Sequence, residues 1–191
     1  METDVLPALA RAASGGDPLA LDRLLAELEP LVVRATRLVV GAGSWEAEDA
    51  AQEALLDIAR SIGTLREPEA VRTWALRVAS ARALKHARRE RLRLRRRAQL
   101  PPELSGRPAE PDERTAALKE EFDRLPPRVR AAAVLRLHAG LSEQETAAVL
   151  GCSPGTVKSS VHTARRRLAD RLRARGFAPP TLPARPQEVP R

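Results

Sequence analysis

Tyrosine is absent from this 191-residue chain, and its aromatic residues are two Trp and two Phe. A protein that lays successive bases along an aromatic platform needs more π-faces than that, so broad single-strand stacking is excluded and cations must carry any polyanion contact. The one cysteine, Cys152, cannot close an internal disulfide. It falls in a turn where a small apolar side chain packs well, and a structural role is expected for it. His86, His138 and His162 are the only histidines, and their spacing with one another and with Cys152 does not match a metal site. No metal and no other cofactor is implied. Strand-type alternation is nearly missing, and Ala, Leu, Arg and Glu dominate the periodic segments, which predicts an all-α fold without a sheet. The longest apolar stretch, Leu31 to Val40, is interrupted by Arg34 and Arg37, so no segment is suited to cross a bilayer. No charged-then-apolar leader pattern is seen either, which gives a cytoplasmic location as the expectation.

What the chain has is charge, placed in blocks. The net charge of +8 comes from two basic segments: residues 81–100 carry nine basic groups and one acidic group, and residues 126–191 carry twelve basic and four acidic. Residues 1–80 and 101–125 are net acidic. Two separate cationic blocks point to a polyanion touched at two places, with steeply salt-dependent affinity.

The most specific local signal lies between Leu125 and Leu168. Ser142 with Glu145 three residues on is a capping box, Ser153 followed by Pro154 is a second cap with proline in the first turn, and Gly151 supplies the bend between them. Two capped helices joined by a short turn read as a helix-turn-helix. In the second of them Val157, Val161, Ala164 and Leu168 recur at helical spacing and point inward, leaving Lys158, Ser159, His162, Arg165 and Arg166 outside. Short polar and cationic groups near a helix start suit base edges and phosphates.

Toward the N-terminus, Asp17-Pro18 starts a helix with Leu21, Leu24, Leu25 and Leu28 on one side, and Pro30 is expected to restart the chain into a second helix ending at Gly41. A third helix opens at Ser44. Its Ala47, Ala50, Ala51, Ala54, Leu55 and Ile58 fall on one face, while Glu46, Asp49, Gln52, Glu53 and Asp57 gather on the other. Such an acidic face has three readings. Metal-assisted nuclease chemistry is disfavoured, because carboxylates on adjacent helical positions diverge and no nucleophile or base lies nearby. A solvated face and a docking surface for a basic protein partner both remain. A loop from Ser61 to Glu67 leads to a long helix from Pro68 that carries Val71, Trp74, Ala75 and Val78 inward and turns basic from Arg82 to Arg97. Trp74 lies on the apolar face and is read as core. Residues 98–113, with Pro101, Pro102, Gly106, Pro108 and Pro111, read as an extended linker. The Pro-rich stretch within 176–191 cannot form a helix and reads as a disordered tail.

The order of these pieces is itself informative. Trp45 to Leu55, containing Glu48, Asp49, Gln52 and Glu53, is followed by Val71-Arg-Thr-Trp74 to Ala79 and then by Leu125 to Leu168. In this the chain resembles bacterial sigma factors of the extracytoplasmic-function (ECF) group of the sigma-70 family, over residues 17–97 and 114–175. The resemblance implies a helical region 2 domain at 17–97 after an N-terminal extension at 1–16, and a region 4 helix-turn-helix domain at 114–175. It also implies a non-enzymatic protein that binds core RNA polymerase and directs promoter-specific initiation. Glu46, Glu48, Asp49, Gln52 and Glu53 correspond to the segment that docks on the clamp helices of the β′ subunit, with region 4 resting on the β flap. Leu65, Arg77, Ser80, Lys85, Arg88 and Arg89 correspond to minus-ten contacts. Thr156, Lys158, Ser159, Ser160, His162, Arg165 and Arg166 correspond to minus-thirty-five contacts. An anti-sigma factor is a further partner that the resemblance admits. Ala81, Leu65 and Ser160 depart from the family pattern, which often has Asn, Phe and Arg there. Two other function classes stay open on sequence alone: a stand-alone helix-turn-helix regulator, and an enzyme using the acidic cluster.

Overall fold

Short-range chemistry fixes where the helices of this chain begin. In the computed structural model, which describes residues 5–41, 44–97 and 113–177, the Asp17 carboxylate accepts hydrogen bonds from the backbone N–H groups of Leu19 and Ala20 at 2.9 and 3.1 Å. This satisfies two donors that the first helical turn would otherwise leave unpaired. Of the expected linker at 98–113 and tail at 176–191, residues 98–112 and 178–191 lie outside the described residues.

Helix α1 (Val5–Ser14) falls within the stretch read as an extension, yet Ala10 and Ala13 are buried and Leu6 and Leu9 pack against the main core. Helix α2 runs unbroken over Pro18–Val40 with Pro30 inside it, which corrects the expected restart at Pro30. Proline inside a helix costs about 3 kcal/mol. Here that cost is outweighed by one continuous apolar stripe, since Leu24, Leu28, Val32 and Val39 are each at most 1% exposed and a buried aliphatic side chain contributes about 1.5–3 kcal/mol.

Helix α3 (Glu46–Ser61) starts two residues after Ser44, whose hydroxyl accepts from the Glu46 N–H at 3.2 Å. A 3-10 turn at Ile62–Thr64 and another at Pro68–Ala70 lead into α4 (Val71–Arg97), so the long helix proper begins at Val71 rather than Pro68. Helices α3 and α4 meet along alanines. Ala47, Ala50, Ala51 and Ala54 on one side and Ala75, Ala79, Ala83 and Ala87 on the other are all at most 4% exposed. Trp74 and Val78 are half-buried against the same core, as their apolar spacing predicts.

The second half comprises α5 (Glu113–Asp123), α6 (Pro127–Ala133) continuing into a π-helical turn at Val134–His138, α7 (Glu143–Leu150) and α8 (Pro154–Ala174). Glu121, 4% exposed, is neutralised by Arg175 at 2.8 Å together with Arg124, which ties the end of α8 to α5. No strand occurs among the described residues, and the fold is all-α as expected.

The two halves share apolar surface. Val39, Val40, Ala47 and Ala83 cluster with Ala131 and Val134, and Ala35 and Leu76 cluster with Leu135, Leu141 and Val149. Among these side chains sits a charged one, Arg130, at 4% exposure. Its guanidinium donates to the backbone carbonyl of Val40 at 3.1 Å, and to the backbone carbonyl and Oδ1 of Asp123 at 3.0 and 3.2 Å. Burial depresses the Arg130 pKa, and burial raises that of Asp123 against the opposing pull of Arg130. The Arg130 guanidinium is therefore costly to bury and depends on its hydrogen bonds, while Asp123 keeps about a third of its side chain exposed. Replacing Arg130 with Ala leaves the Val40 carbonyl and the Asp123 carboxylate without their donor, so urea unfolding should show a loss of about 3 kcal/mol. A loss below about 0.5 kcal/mol, the ordinary surface value, would show that Arg130 does not hold the halves together.

Candidate functional site

The helix-turn-helix is built by local chemistry. The Ser142 hydroxyl accepts from the Glu145 N–H at 3.1 Å while the Glu145 carboxylate accepts from the Ser142 N–H at 2.7 Å, closing the capping box. Hydrogen bonding to the Ser142 side chain and backbone lowers the Glu145 pKa. Gly151 ends α7 at φ +61°, a left-handed conformation that glycine adopts without the penalty a Cβ brings. Half-buried Cys152 completes the turn, and the Ser153 hydroxyl caps α8 through the Thr156 N–H at 3.2 Å. Val157 and Ala164 are 1% exposed, with Val161 and Leu168 half-buried beside them. Thr156, Lys158, Ser159, His162, Arg165 and Arg166 are all exposed on the other side, whereas Ser160 is half-buried.

The acidic helix behaves differently from a free carboxylate face. Glu48 and Gln52 are exposed and Asp49 half-buried, but Glu46 is 8% exposed and points into the domain, where its Oε2 lies 2.6 Å from Nδ1 of the buried His86. The expectation that Glu46 belongs to the outward face is therefore corrected: its position lies toward α4, and the imidazole takes it as a partner. The other imidazole nitrogen lies 3.3 Å from Glu53 Oε1 without hydrogen-bond alignment. Glu53 also receives Arg82 at 3.0 Å and Lys85 at 3.8 Å, and Arg82 pairs with Asp57 as well. Burial pushes the Glu53 carboxyl up, but His86, Lys85 and Arg82 more than offset this and leave its pKa lowered. Arg82, expected to face DNA with the rest of its block, is thus turned toward α3.

Beyond Arg82, the basic face of α4 presents Arg77, Lys85, Arg88 and Arg89, all exposed. Arg77, Ala81 and Lys85 of α4 line an open cleft of about 610 Å³ with Asp57, Arg60 and Ser61 at the end of α3. Leu65, in the loop between the helices, is half-buried against the core. Ser80 is 3% exposed, so its expected place on an accessible surface is also corrected. It sits at the edge of a second cleft of about 360 Å³, where Val149 and Leu150 of α7 approach α4. That cleft adds a cation the sequence reading missed: Arg128, at the start of α6, joins Lys85, Arg88 and Arg89. Arg128 and the α4 cations are far apart in sequence, and only packing brings them together. No group of His, Cys, Asp or Glu among the described residues could hold a metal ion.

Family comparisons agree with this division into two halves. The model of sigma-70 region 2 matches residues 24–93, and the model of sigma-70 region 4 matches residues 115–168. The chain is 34% identical to ECF RNA polymerase sigma factor SigM of Mycobacterium tuberculosis over 161 residues, covering 84% of this chain and 81% of SigM. The chain belongs to the ECF sigma factors. It is also 38% identical to ECF RNA polymerase sigma factor SigE of Mycolicibacterium smegmatis over 136 residues, a match that spans 66% of this chain and about half, 52%, of SigE. In three dimensions it is similar to CnrH in the structure of CnrH in complex with the cytosolic domain of CnrY, with a TM-score of 0.64 and 24% identity over 90% of this chain and 99% of that one. This last likeness concerns the fold. No described helix of this sigma factor is long and apolar enough to cross a membrane.

The lowered Glu53 pKa has a consequence for stability. A carboxylate whose folded pKa lies below its unfolded value near 4.5 contributes stability that is present above that value and lost as pH falls through the folded pKa. Urea midpoints measured between pH 6 and pH 3 should fall toward acid, and Glu53→Gln should make that fall shallower. An identical pH profile for the variant would show that Glu53 gains nothing from His86, Lys85 and Arg82.

Proposed function

We infer that this ECF sigma factor is a non-catalytic specificity subunit that binds core RNA polymerase in the cytoplasm and directs it to a set of promoters. The observation that carries this reading is the pairing, within one domain, of an acidic helix and a basic helix, with a helix-turn-helix reading face exposed in the other. Opposite charges on neighbouring helices serve two different partners: α3 a basic protein surface, α4 a nucleic acid. A stand-alone helix-turn-helix regulator would leave the region 2 match and both of these faces without a task.

In this reading Glu48, Asp49, Gln52 and the outward side of Glu53 dock on the clamp helices of the β′ subunit, and Glu46 supports them from inside through His86. Arg77, Lys85, Arg88 and Arg89 hold the minus-ten region, with Leu65 beside the opened strand. Thr156, Lys158, Ser159, His162, Arg165 and Arg166 read the minus-thirty-five element, with region 4 resting on the β flap. Where relatives often carry Arg, half-buried Ser160 offers no long cation, so base preference near that position differs by about 1–3 kcal/mol from relatives that use a base-specific arginine there. An anti-sigma factor is a natural further partner, since the sigma factor RpoE, similar in fold with a TM-score of 0.64, is described in complex with the anti-sigma factor NepR from Bartonella quintana.

Glu53 is engaged internally, so reversing it would also disturb the fold. Glu48→Arg combined with Asp49→Arg tests docking more cleanly. That double variant should lose binding to core polymerase in a co-purification or equilibrium assay while still shifting duplex DNA through α8. Retention of wild-type affinity for core polymerase would sink the docking assignment.

A further inference from the structure

Two large apolar side chains on α3 are exposed without serving the core. Trp45, at the N-cap in helical conformation, is 54% exposed, and Leu56 is 52% exposed, whereas neighbouring Leu55 packs inward. Trp45, Asp49, Gln52 and Leu56 are spaced by four, three and four residues, which sets them in one line along the outer face of the helix. The line is about 16 Å long, at 1.5 Å per residue. Its ends are apolar and its middle is carboxylate and amide, with Glu48 alongside.

This chain has only four aromatic residues, and Trp74, Phe122 and Phe177 are half-buried. Trp45 is the one left open, and it is held in place: the Arg93 guanidinium of α4 lies 5.0 Å from its ring centroid, a cation–π contact on one face of the indole. A ring ordered before binding loses less freedom on docking than a free one. Exposed Trp at the end of a charged stripe is the composition of an interface anchor rather than of a solvated face.

The spacing and charge narrow the occupant. An i, i+4, i+7, i+11 line is the seam by which one helix packs on another. A second copy of this chain is disfavoured, because pairing the stripe with itself would set Glu48 and Asp49 against like charges. The acidic middle excludes nucleic acid and anionic lipid. What fits is a helical protein surface with apolar pockets set around basic side chains. We propose that Trp45 and Leu56 are the apolar anchors of the polymerase-docking surface, seated on either side of the charged contacts made by Glu48 and Asp49. The proposal rests on the docking reading above and adds to it two apolar residues that contribute affinity beside the charged contacts. Charge then sets orientation and association rate, and the apolar ends set residence time.

The test is the dissociation constant of the full chain for core RNA polymerase at low and at high salt. Trp45→Ala should weaken binding roughly 30-fold and Leu56→Ala about tenfold, magnitudes of interface hot spots, with the salt dependence unchanged. Glu48→Arg with Asp49→Arg should instead flatten the salt dependence as well as weaken binding. Arg93→Ala, which keeps the ring but frees it, should cost less than fivefold. If both apolar variants bind within twofold of wild type while the charge variant fails, docking is electrostatic and the anchor proposal is overturned, with the docking reading intact. If the charge variant also binds normally, the docking reading itself is wrong. A loss for Arg93→Ala as large as that for Trp45→Ala would assign the effect to the guanidinium and likewise overturn the ring as anchor.

Discussion

Alanine against alanine along α3 and α4 is the constraint from which the functional surfaces follow. Ala47, Ala50, Ala51 and Ala54 of α3 and Ala75, Ala79, Ala83 and Ala87 of α4 are buried where these helices pack on each other and on α2, and such small side chains permit a close approach at whose edges longer side chains meet. On one edge those side chains have opposite charge. Glu46 meets His86, and Glu53 and Asp57 meet Arg82. A larger residue in the seam would separate the helices and leave buried Glu46 and His86 without each other, a loss beyond the steric cost itself. The seam therefore sorts charge in a sequence that alternates acidic and basic blocks. Glu46 is pulled inside, Glu53 is shared, and Glu48, Asp49 and Gln52 stay outside; Arg82 is taken up by α3, Lys85 lies 3.8 Å from Glu53, and Arg77, Arg88 and Arg89 remain exposed.

The second constraint is the contact between the halves. Arg130 places a buried cation between the end of α2 and the end of α5, and apolar residues of α6, the π-helical turn and α7 close over α2 and α4. Hydrophobic burial gives this contact its strength, and the Arg130 hydrogen bonds give it register, since a guanidinium with three oxygen acceptors fits in one place only. One result is that Ser80 lies covered while Arg128 joins the basic edge of α4. The polar side of α8 keeps Lys158, Arg165 and Arg166 exposed.

Features that depend on neighbours in sequence were legible before the fold was known. Asp17, Ser142, Glu145, Ser153 and Gly151 act within a few residues of themselves, so the caps and the turn stand where the chain places them. Apolar periodicity likewise gave the inner faces of α3, α4 and α8. What was not legible depends on partners distant in sequence. Pro30 looks like a break until Leu24, Leu28 and Val32 are seen to be buried through it; Glu46 looks like part of an outer face until His86, forty residues on, is found beside it. Ser80 and Arg128, 48 residues apart, line one cleft only because the two halves touch. Helix α1 carries its own apolar face in Leu6, Leu9, Ala10 and Ala13, but the core that this face joins is supplied by α2 and by Ile62 after α3, distant in sequence.

Taken together, the surfaces make one claim: this chain gives core polymerase a choice of promoter that core polymerase lacks alone. Mapping RNA 5′ ends made from fragmented genomic DNA by core polymerase, with and without the chain, tests it directly. A discrete set of new start sites should appear only with the chain and share two upstream sequence elements at fixed spacing. An identical start-site profile in both reactions would contradict it.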